Sequence, residues 1–143
     1  MATTDFLWTR TPIQGADIPY TNASSSAITT GMILVLDTAH LIGASQGSIG
    51  LKVAPAAAGG FGAFIACENV PASGGQGKAQ TAGVAVVYAD GAVTVNTMVG
   101  TSATTAGQAT TYTAGDFAIG LALSTTASAA DPLLLLMNPC RNA

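Results

Sequence analysis

The stretch 83–99 constrains the fold more than any other part of this 143-residue chain. Two runs rich in β-branched residues, 83–89 and 92–99, are separated only by the dipeptide Asp90-Gly91. An Asp-Gly pair supplies the positive backbone angles of a type I′ turn, whose twist matches that of the flanking strands. The pattern therefore predicts a β-hairpin in which Asp90 and Gly91 form the structural turn.

The two runs of this predicted hairpin differ in their hydrophobic pattern. The second run alternates, with Val93, Val95 and Thr97 on one side, which is typical of a strand with one buried and one wet face. The first run is apolar nearly throughout, which suits a strand covered on both faces. A lone hairpin is marginal in water, so we expect the rest of the chain to supply sheets for it to pack against.

The remaining strand candidates are short apolar runs bounded by turn-forming residues. They lie at 32–36, 49–53, 64–70, 110–113, 118–123 and 133–137, whereas 54–62 and 73–78 are predicted loops. The tripeptide Thr-Ala-Gly recurs at 81–83, 105–107 and 113–115, where we interpret it as turn punctuation. No stretch predicts an amphipathic helix. The expected fold is all-β, a small antiparallel β-barrel or sandwich.

The N-terminal part lacks this β pattern, and we predict an extended N-terminal arm over 1–25 followed by a single β-domain over 26–143. Prolines and a run of serines in this part argue against a regular element. Its large side chains either fold back onto their own domain or dock on a neighbouring chain. Trp and Arg are frequent interface anchors, so the candidate interface residues are Phe6, Leu7, Trp8, Arg10 and Pro12.

Composition restricts the class of partner. Charged residues make up 8% of the chain, against roughly 25% in an average soluble protein. A surface of small uncharged residues costs little to desolvate and suits extensive protein–protein contact. The four basic residues are scattered and the net charge is −3, so we expect no nucleic-acid partner. The aliphatic runs are far shorter than the roughly 20 residues of a membrane helix, and no signal peptide is recognisable, which predicts cytoplasmic synthesis without a membrane partner.

The residues offer little for catalysis. The letters at 43–47 match a nucleophile elbow around Ser45, but no helix pattern follows, and the only histidine, His40, precedes the serine. No cluster of His, Cys and carboxylates has metal-ligand spacing, so we expect neither a metal nor a cofactor. Cys67 is interpreted as a small core residue, and Glu68 as a solvent-face or subunit-contact residue. We find no basis for an enzyme.

Several short motifs nevertheless resemble a known family. In order along the chain they are Cys-Glu-Asn-Val-Pro at 67–71, the strand starts at 83–86 and 91–95, Val-Gly at 99–100, Gly-Gln at 107–108 and Gly-Asp-Phe-Ala-Ile-Gly-Leu-Ala-Leu at 115–123. This order is similar to the head decoration, or capsid cement, proteins of tailed bacteriophages. The resemblance covers about the C-terminal half of the chain.

The resemblance implies a structural virion protein that binds the outer surface of an assembled capsid and stabilises it. It implies the major capsid protein and further copies of the chain as partners, usually in a homotrimer and sometimes in a dimer. Two other classes stay open: another phage structural module of the tail or baseplate, and a carbohydrate-binding or hydrolytic β-module.

Overall fold

The computed structural model describes residues 17–36, 51–55, 62–115 and 117–141. Within these ranges it contains strands and no helix. The strands are β1 (Asp17–Asn22), β2 (Ile33–Leu36), β3 (Leu51–Pro55), β4 (Phe64–Ala66), β5 (Gln76–Gln80), β6 (Gly83–Asp90), β7 (Met98–Thr101), β8 (Ala109–Thr111), β9 (Phe117–Ala122) and β10 (Ala129–Arg141).

The strands close into two five-stranded barrels. The first barrel has the order β1-β3-β2-β4-β5, and the second has the order β10-β6-β8-β7-β9. Most neighbours are antiparallel, while β1 with β3 and β6 with β8 are parallel. The predicted all-β class is confirmed. The structure has two small barrels where the sequence pattern suggested one barrel or sandwich.

The predicted strands that contain compact apolar runs are present. The runs at 32–36, 118–123 and 133–137 correspond to β2, β9 and β10, and β3, β4 and β8 lie near the predicted strands at 49–53, 64–70 and 110–113. The repeated tripeptide does mark turns: its final glycines, Gly83, Gly107 and Gly115, have φ of 88°, 80° and 99°.

The two barrels share their larger core. Ile33 and Ile65 of the first barrel pack into the cluster formed by the second, together with residues such as Val87, Leu133 and Leu135. A smaller cluster fills the first barrel and contains Tyr20, Ile28, Leu34, Ala66, Val70 and Ala79. Burial of apolar surface contributes roughly 25 cal/mol per Å². The common cluster therefore couples the stability of the two barrels.

The predicted hairpin over 83–99 is wrong. Strand β6 ends at Asp90, but it pairs with β10 and β8, and β7 begins only at Met98. Between them, Val93 pairs in an isolated bridge with Thr126, and Thr126 Oγ1 donates to the carbonyl oxygen of Gly91 at 2.9 Å. Contacts with the segment before β10 thus turn the chain away from β6. Val93 is buried, whereas Val95 is 47% exposed, so the predicted alternation also fails.

Gly91 still occupies a position that favours glycine, since its φ is +150° and a Cβ there would meet open space. We expect Gly91→Val to lower the free energy of unfolding by about 2 kcal/mol through backbone strain alone. The neighbouring exposed Ala92, which lacks a positive φ, provides the control Ala92→Val, expected to change it by less than about 0.5 kcal/mol. Chemical denaturation of both variants checks this, and equal effects would contradict it.

Two further boundaries need correction in the first barrel. The predicted loop at 73–78 contains most of β5, and the predicted arm over 1–25 contains the whole of β1. Tyr20 of β1 lies opposite Gly77 of β5, where a Cβ on the glycine would approach the tyrosine ring at 3.3 Å. An aromatic side chain packed over a cross-strand glycine stabilises such a pair. Pro19 is tolerated because the ladder from β1 to β3 begins only at Tyr20.

Candidate interaction surface

The outer face of the second barrel is apolar across three neighbouring strands. In β10, Leu133 and Leu135 point into the core and are fully buried, so Leu134 and Leu136 point outward. Leu134 lies opposite Val86 of β6, and Leu136 lies opposite Leu121 of β9. Residues directly opposite each other in a ladder share one face of the sheet.

We call this surface the apolar face and define it by six residues: Val86, Tyr88, Leu121, Leu123, Leu134 and Leu136. Tyr88 and Leu123 are each 38% exposed and Leu136 is 40% exposed, while the other three are partly buried. None of the six carries a charge at neutral pH. Solvated faces of antiparallel sheets usually present polar residues, so a face of this composition is unusual in a chain that stands alone.

A groove of about 310 Å³ adjoins the apolar face where the two barrels meet. Val86 and Tyr88 belong to both the apolar face and the groove, and Cys67, Gln80 and Pro132 are among the other residues that line the groove. Gln80 Nε2 is occupied by the carbonyl oxygens of Ala82 and Val84, at 2.8 and 2.9 Å. The groove is lined by both apolar and polar surface, and the amide of Gln80 at its border is already hydrogen-bonded.

Cys67 is exposed, which corrects its interpretation as a core residue. Its Sγ lies 3.9 Å from Asp17 Oδ1. Partial burial of the sulfur, with the carboxylates of Asp17 and Glu68 nearby, raises the pKa of this thiol to about 11. The thiol is therefore protonated at neutral pH and is a poor nucleophile.

Asp90 has a structural role that differs from the predicted turn. Its carboxylate accepts hydrogen bonds from the hydroxyls of Ser102, Thr104 and Thr105, the last at 2.9 Å. Ser102 Oγ in turn accepts from the backbone N–H groups of Thr104 and Thr105, at 3.0 and 2.9 Å. These bonds tie the end of β6 to the loop after β7, and they lower the pKa of Asp90.

This lowered pKa predicts a pH dependence. The bonds of Asp90 stabilise the fold above the ordinary aspartate pKa of about 3.9, and the stabilisation is lost as the pH falls through the lower folded value. We expect the melting-temperature difference between wild type and Asp90→Asn to be constant above about pH 5 and to shrink in acid. Ser102→Ala should reduce this pH dependence in part. A difference that is the same at every pH would contradict the assignment.

The other candidate residues divide into two groups. The predicted interface residues Phe6, Leu7, Trp8, Arg10 and Pro12, together with His40 and Ser45, lie outside the described residues. Of the described acidic residues, Glu68 is exposed and accepts from the backbone N–H of Lys78 at 2.8 Å. Asp131 accepts from the N–H groups of Ala127 and Ser128, in keeping with a local turn role.

Sequence reasoning did not identify the apolar face, although the signal was present. The runs that form β6 and β10 are apolar almost without interruption. Such runs are typical of strands covered on both faces, and within the described residues the outer face of these strands is only partly covered. Among the described residues, no group of three or more His, Cys, Asp or Glu could hold a metal ion. In the same part of the chain, no helix is long and apolar enough to cross a membrane.

The chain is an all-β protein in which two closed five-stranded barrels share a hydrophobic core. The chain is similar to the N base of the head fiber gp8.5 of bacteriophage phi29, with a TM-score of 0.64 and 16% identity. The similarity covers 90% of this chain and 99% of that chain. The resemblance to phage head proteins is thus confirmed at the level of the fold.

Comparisons of sequence add no relative. No protein-family model matches the chain, and no curated protein is significantly similar to it. The likeness to the head fiber base is therefore carried by the three-dimensional arrangement of the strands.

Proposed function

We propose that this chain is a structural protein of a phage head that binds the outer surface of the assembled capsid and stabilises it as a decoration or cement protein. The observation that carries the proposal is the shared fold with the head fiber base over nearly the whole length of both chains. The order of motifs in the C-terminal half independently resembles capsid cement proteins. The low content of charge supports a role in extensive protein–protein contact.

The partners in this proposal are the major capsid protein and further copies of the chain in a homotrimer, with a dimer as second choice. Neither a nucleic acid nor a membrane takes part. Residues 6–8, with Arg10 and Pro12, form the contact with the capsid through the N-terminal arm. Because β1 belongs to the first barrel, this arm consists of residues 1–16 and not of 1–25.

The proposed role is structural and not enzymatic. The thiol of Cys67, a potential nucleophile beside the groove, is held protonated at neutral pH. The carboxylate of Asp90 is occupied by three hydroxyl groups that tie two elements of the fold together. The thiol is thus a poor nucleophile at neutral pH, and the carboxylate has a structural role.

The experiment that tests the proposal is electron cryo-microscopy of phage heads prepared with and without this protein. We expect additional density on the outer capsid surface only when the protein is present. We also expect heads that carry it to release their genome at a higher temperature. Density confined to the tail or baseplate would replace the proposal with the tail-module alternative, and binding to a glycan array with no binding to heads would favour a carbohydrate-binding module.

A further inference from the structure

The apolar face of the second barrel is partly exposed in the described part of the chain, as expected of a surface that a partner covers. We propose that this partner is a second copy of the same chain, so that the apolar face is the self-association surface of the oligomer. The inference deepens the proposed homotrimer and rests on it. It adds the surface through which the copies meet.

Exposure of this face is costly in water. Tyr88 on β6, Leu136 on β10 and Leu123 directly after β9 expose 38–40% of their surface, and partly buried apolar residues lie between them. Adjacent strands lie about 4.8 Å apart and outward positions recur about every 6.8 Å, so the six positions span roughly 200 Å² of sheet. Surface apolar residues are normally scattered singly, whereas contiguous ones point to an interaction site.

Charge favours a second copy over a charged partner. The six residues of the apolar face carry no charge, so a charged group docked there would lose its hydration without gaining a counter-charge. A second apolar face has no such cost. Symmetric assembly around one axis supplies such a face from every copy at once.

The topology determines how copies can meet. Both barrels are closed, so every described strand has a neighbour on each side, although β6 meets β8 at a single residue pair, Ala89 with Ala109. Most strand edges are therefore already paired, which favours association of this part of the chain through side chains on a barrel face. Two other large apolar residues in the described ranges are exposed, Leu36 and Val95. Leu36 lies on β2 in the first barrel. Val95 lies beside the face, where its backbone N–H donates to Thr125 Oγ1 at 3.1 Å.

The size of the face indicates its place in the interface. A stable interface buries about 800 Å² on each partner, more than the apolar face alone. Interfaces commonly surround an apolar centre with a polar rim. Here Ser124 and Thr125, which follow Leu123 beyond the end of β9, provide polar groups at its border, and the Thr125 hydroxyl accepts from the N–H of the exposed Val95.

The test is sedimentation velocity of the full chain over a concentration series, with Leu136→Lys as the test variant and Leu36→Lys as its matched control. Leu36 is 50% exposed on the first barrel, so both substitutions place a lysine at an exposed leucine at a strand position. We expect wild type and Leu36→Lys to associate alike and Leu136→Lys to weaken association by roughly 30-fold or more, as loss of an interface anchor does. Circular dichroism confirms that each variant is folded.

Leu123→Lys, directly after the neighbouring strand β9, gives an independent answer if Leu136→Lys does not fold. A wild type that stays monomeric at roughly 100 μM would overturn the inference, because a dissociation constant above that concentration is too weak for a stable interface. Lysine variants that associate like the wild type would also overturn it. Stronger association after deletion of residues 2–16 would also overturn it, because the arm of the same chain would then be what covers the apolar face in the full chain. Binding to heads is measured separately: an oligomer that binds no heads contradicts the proposed function and leaves the self-association surface supported.

Discussion

Asn22→Ala is expected to lower the free energy of unfolding by about 3 kcal/mol, because it removes a fully buried amide that connects three segments of the first barrel. Asn22 Nδ2 donates to the carbonyl oxygens of Ser26 and Pro71, at 2.8 and 3.1 Å. Its Oδ1 accepts from the N–H and the hydroxyl of Ser24, at 3.0 and 2.8 Å. Alanine leaves these groups without their partner. For a chain of this size the melting temperature should fall by roughly 6–12 °C.

Asn69 provides the matched control, because its Oδ1 also accepts two hydrogen bonds, from the N–H and hydroxyl of Thr30, but the residue is exposed. Water replaces lost partners at an exposed site, so we expect Asn69→Ala to cost less than about 1 kcal/mol. Thermal and urea denaturation measure both variants. If the two substitutions had equal effects, burial of the Asn22 amide would not explain its contribution to stability.

The second large effect concerns the arm. We expect Trp8→Ala to leave the melting temperature nearly unchanged and to reduce occupancy on phage heads strongly. Trp8 is the only tryptophan, in a run of three large apolar side chains on an otherwise polar segment. Loss of such an anchor costs on the order of 2–4 kcal/mol of binding. Quantitative binding to heads and thermal melting, measured on the same preparation, test the prediction.

Trp8→Phe is the conservative control and should retain most of the binding, because a large aromatic surface remains. Deletion of residues 1–16 should abolish binding while leaving both barrels folded, whereas a deletion through residue 20 would also remove most of β1. The competing interpretation, in which Trp8 packs on its own domain, predicts a large fall in melting temperature. A destabilised Trp8→Ala variant whose folded fraction binds normally would exclude the arm as the capsid contact.

Compact apolar runs predicted strands well in this chain. The runs in β2, β9 and β10 place strands where the structure has them, because five or six consecutive apolar residues cannot remain in a solvated loop without a large cost in exposed surface. The apolar run that forms β6 also predicted a strand that is buried on both faces. It could not indicate that the described part of the chain leaves the outer face of that strand partly exposed.

Turn chemistry was less informative. The Asp90-Gly91 pair is a strong local signal for a hairpin, yet the carboxylate is bound by three hydroxyls that lie 12 to 15 residues further along the chain. Gly91 is held by Thr126, 35 residues away. Interactions across such distances compete with the local turn, and their energies do not appear in a window of a few residues.

Strand β5 shows the opposite error. Its sequence, Gln-Gly-Lys-Ala-Gln, has the composition of a loop. It becomes a strand because β1 and β4 lie on either side of it and because the ring of Tyr20 covers Gly77. Both causes depend on residues distant in sequence.

The sequence by itself determined the all-β class, the main apolar strands and the scarcity of charge, since these follow from composition and from short-range periodicity. Only the tertiary structure decided that the strands close into two barrels, that Asp90 binds a distant loop, and that six residues on and directly after three strands form one apolar face. Each of these depends on which strands become neighbours. That choice is set by the summed packing of side chains far apart in sequence, in particular where Ile33 and Ile65 of one barrel enter the core of the other.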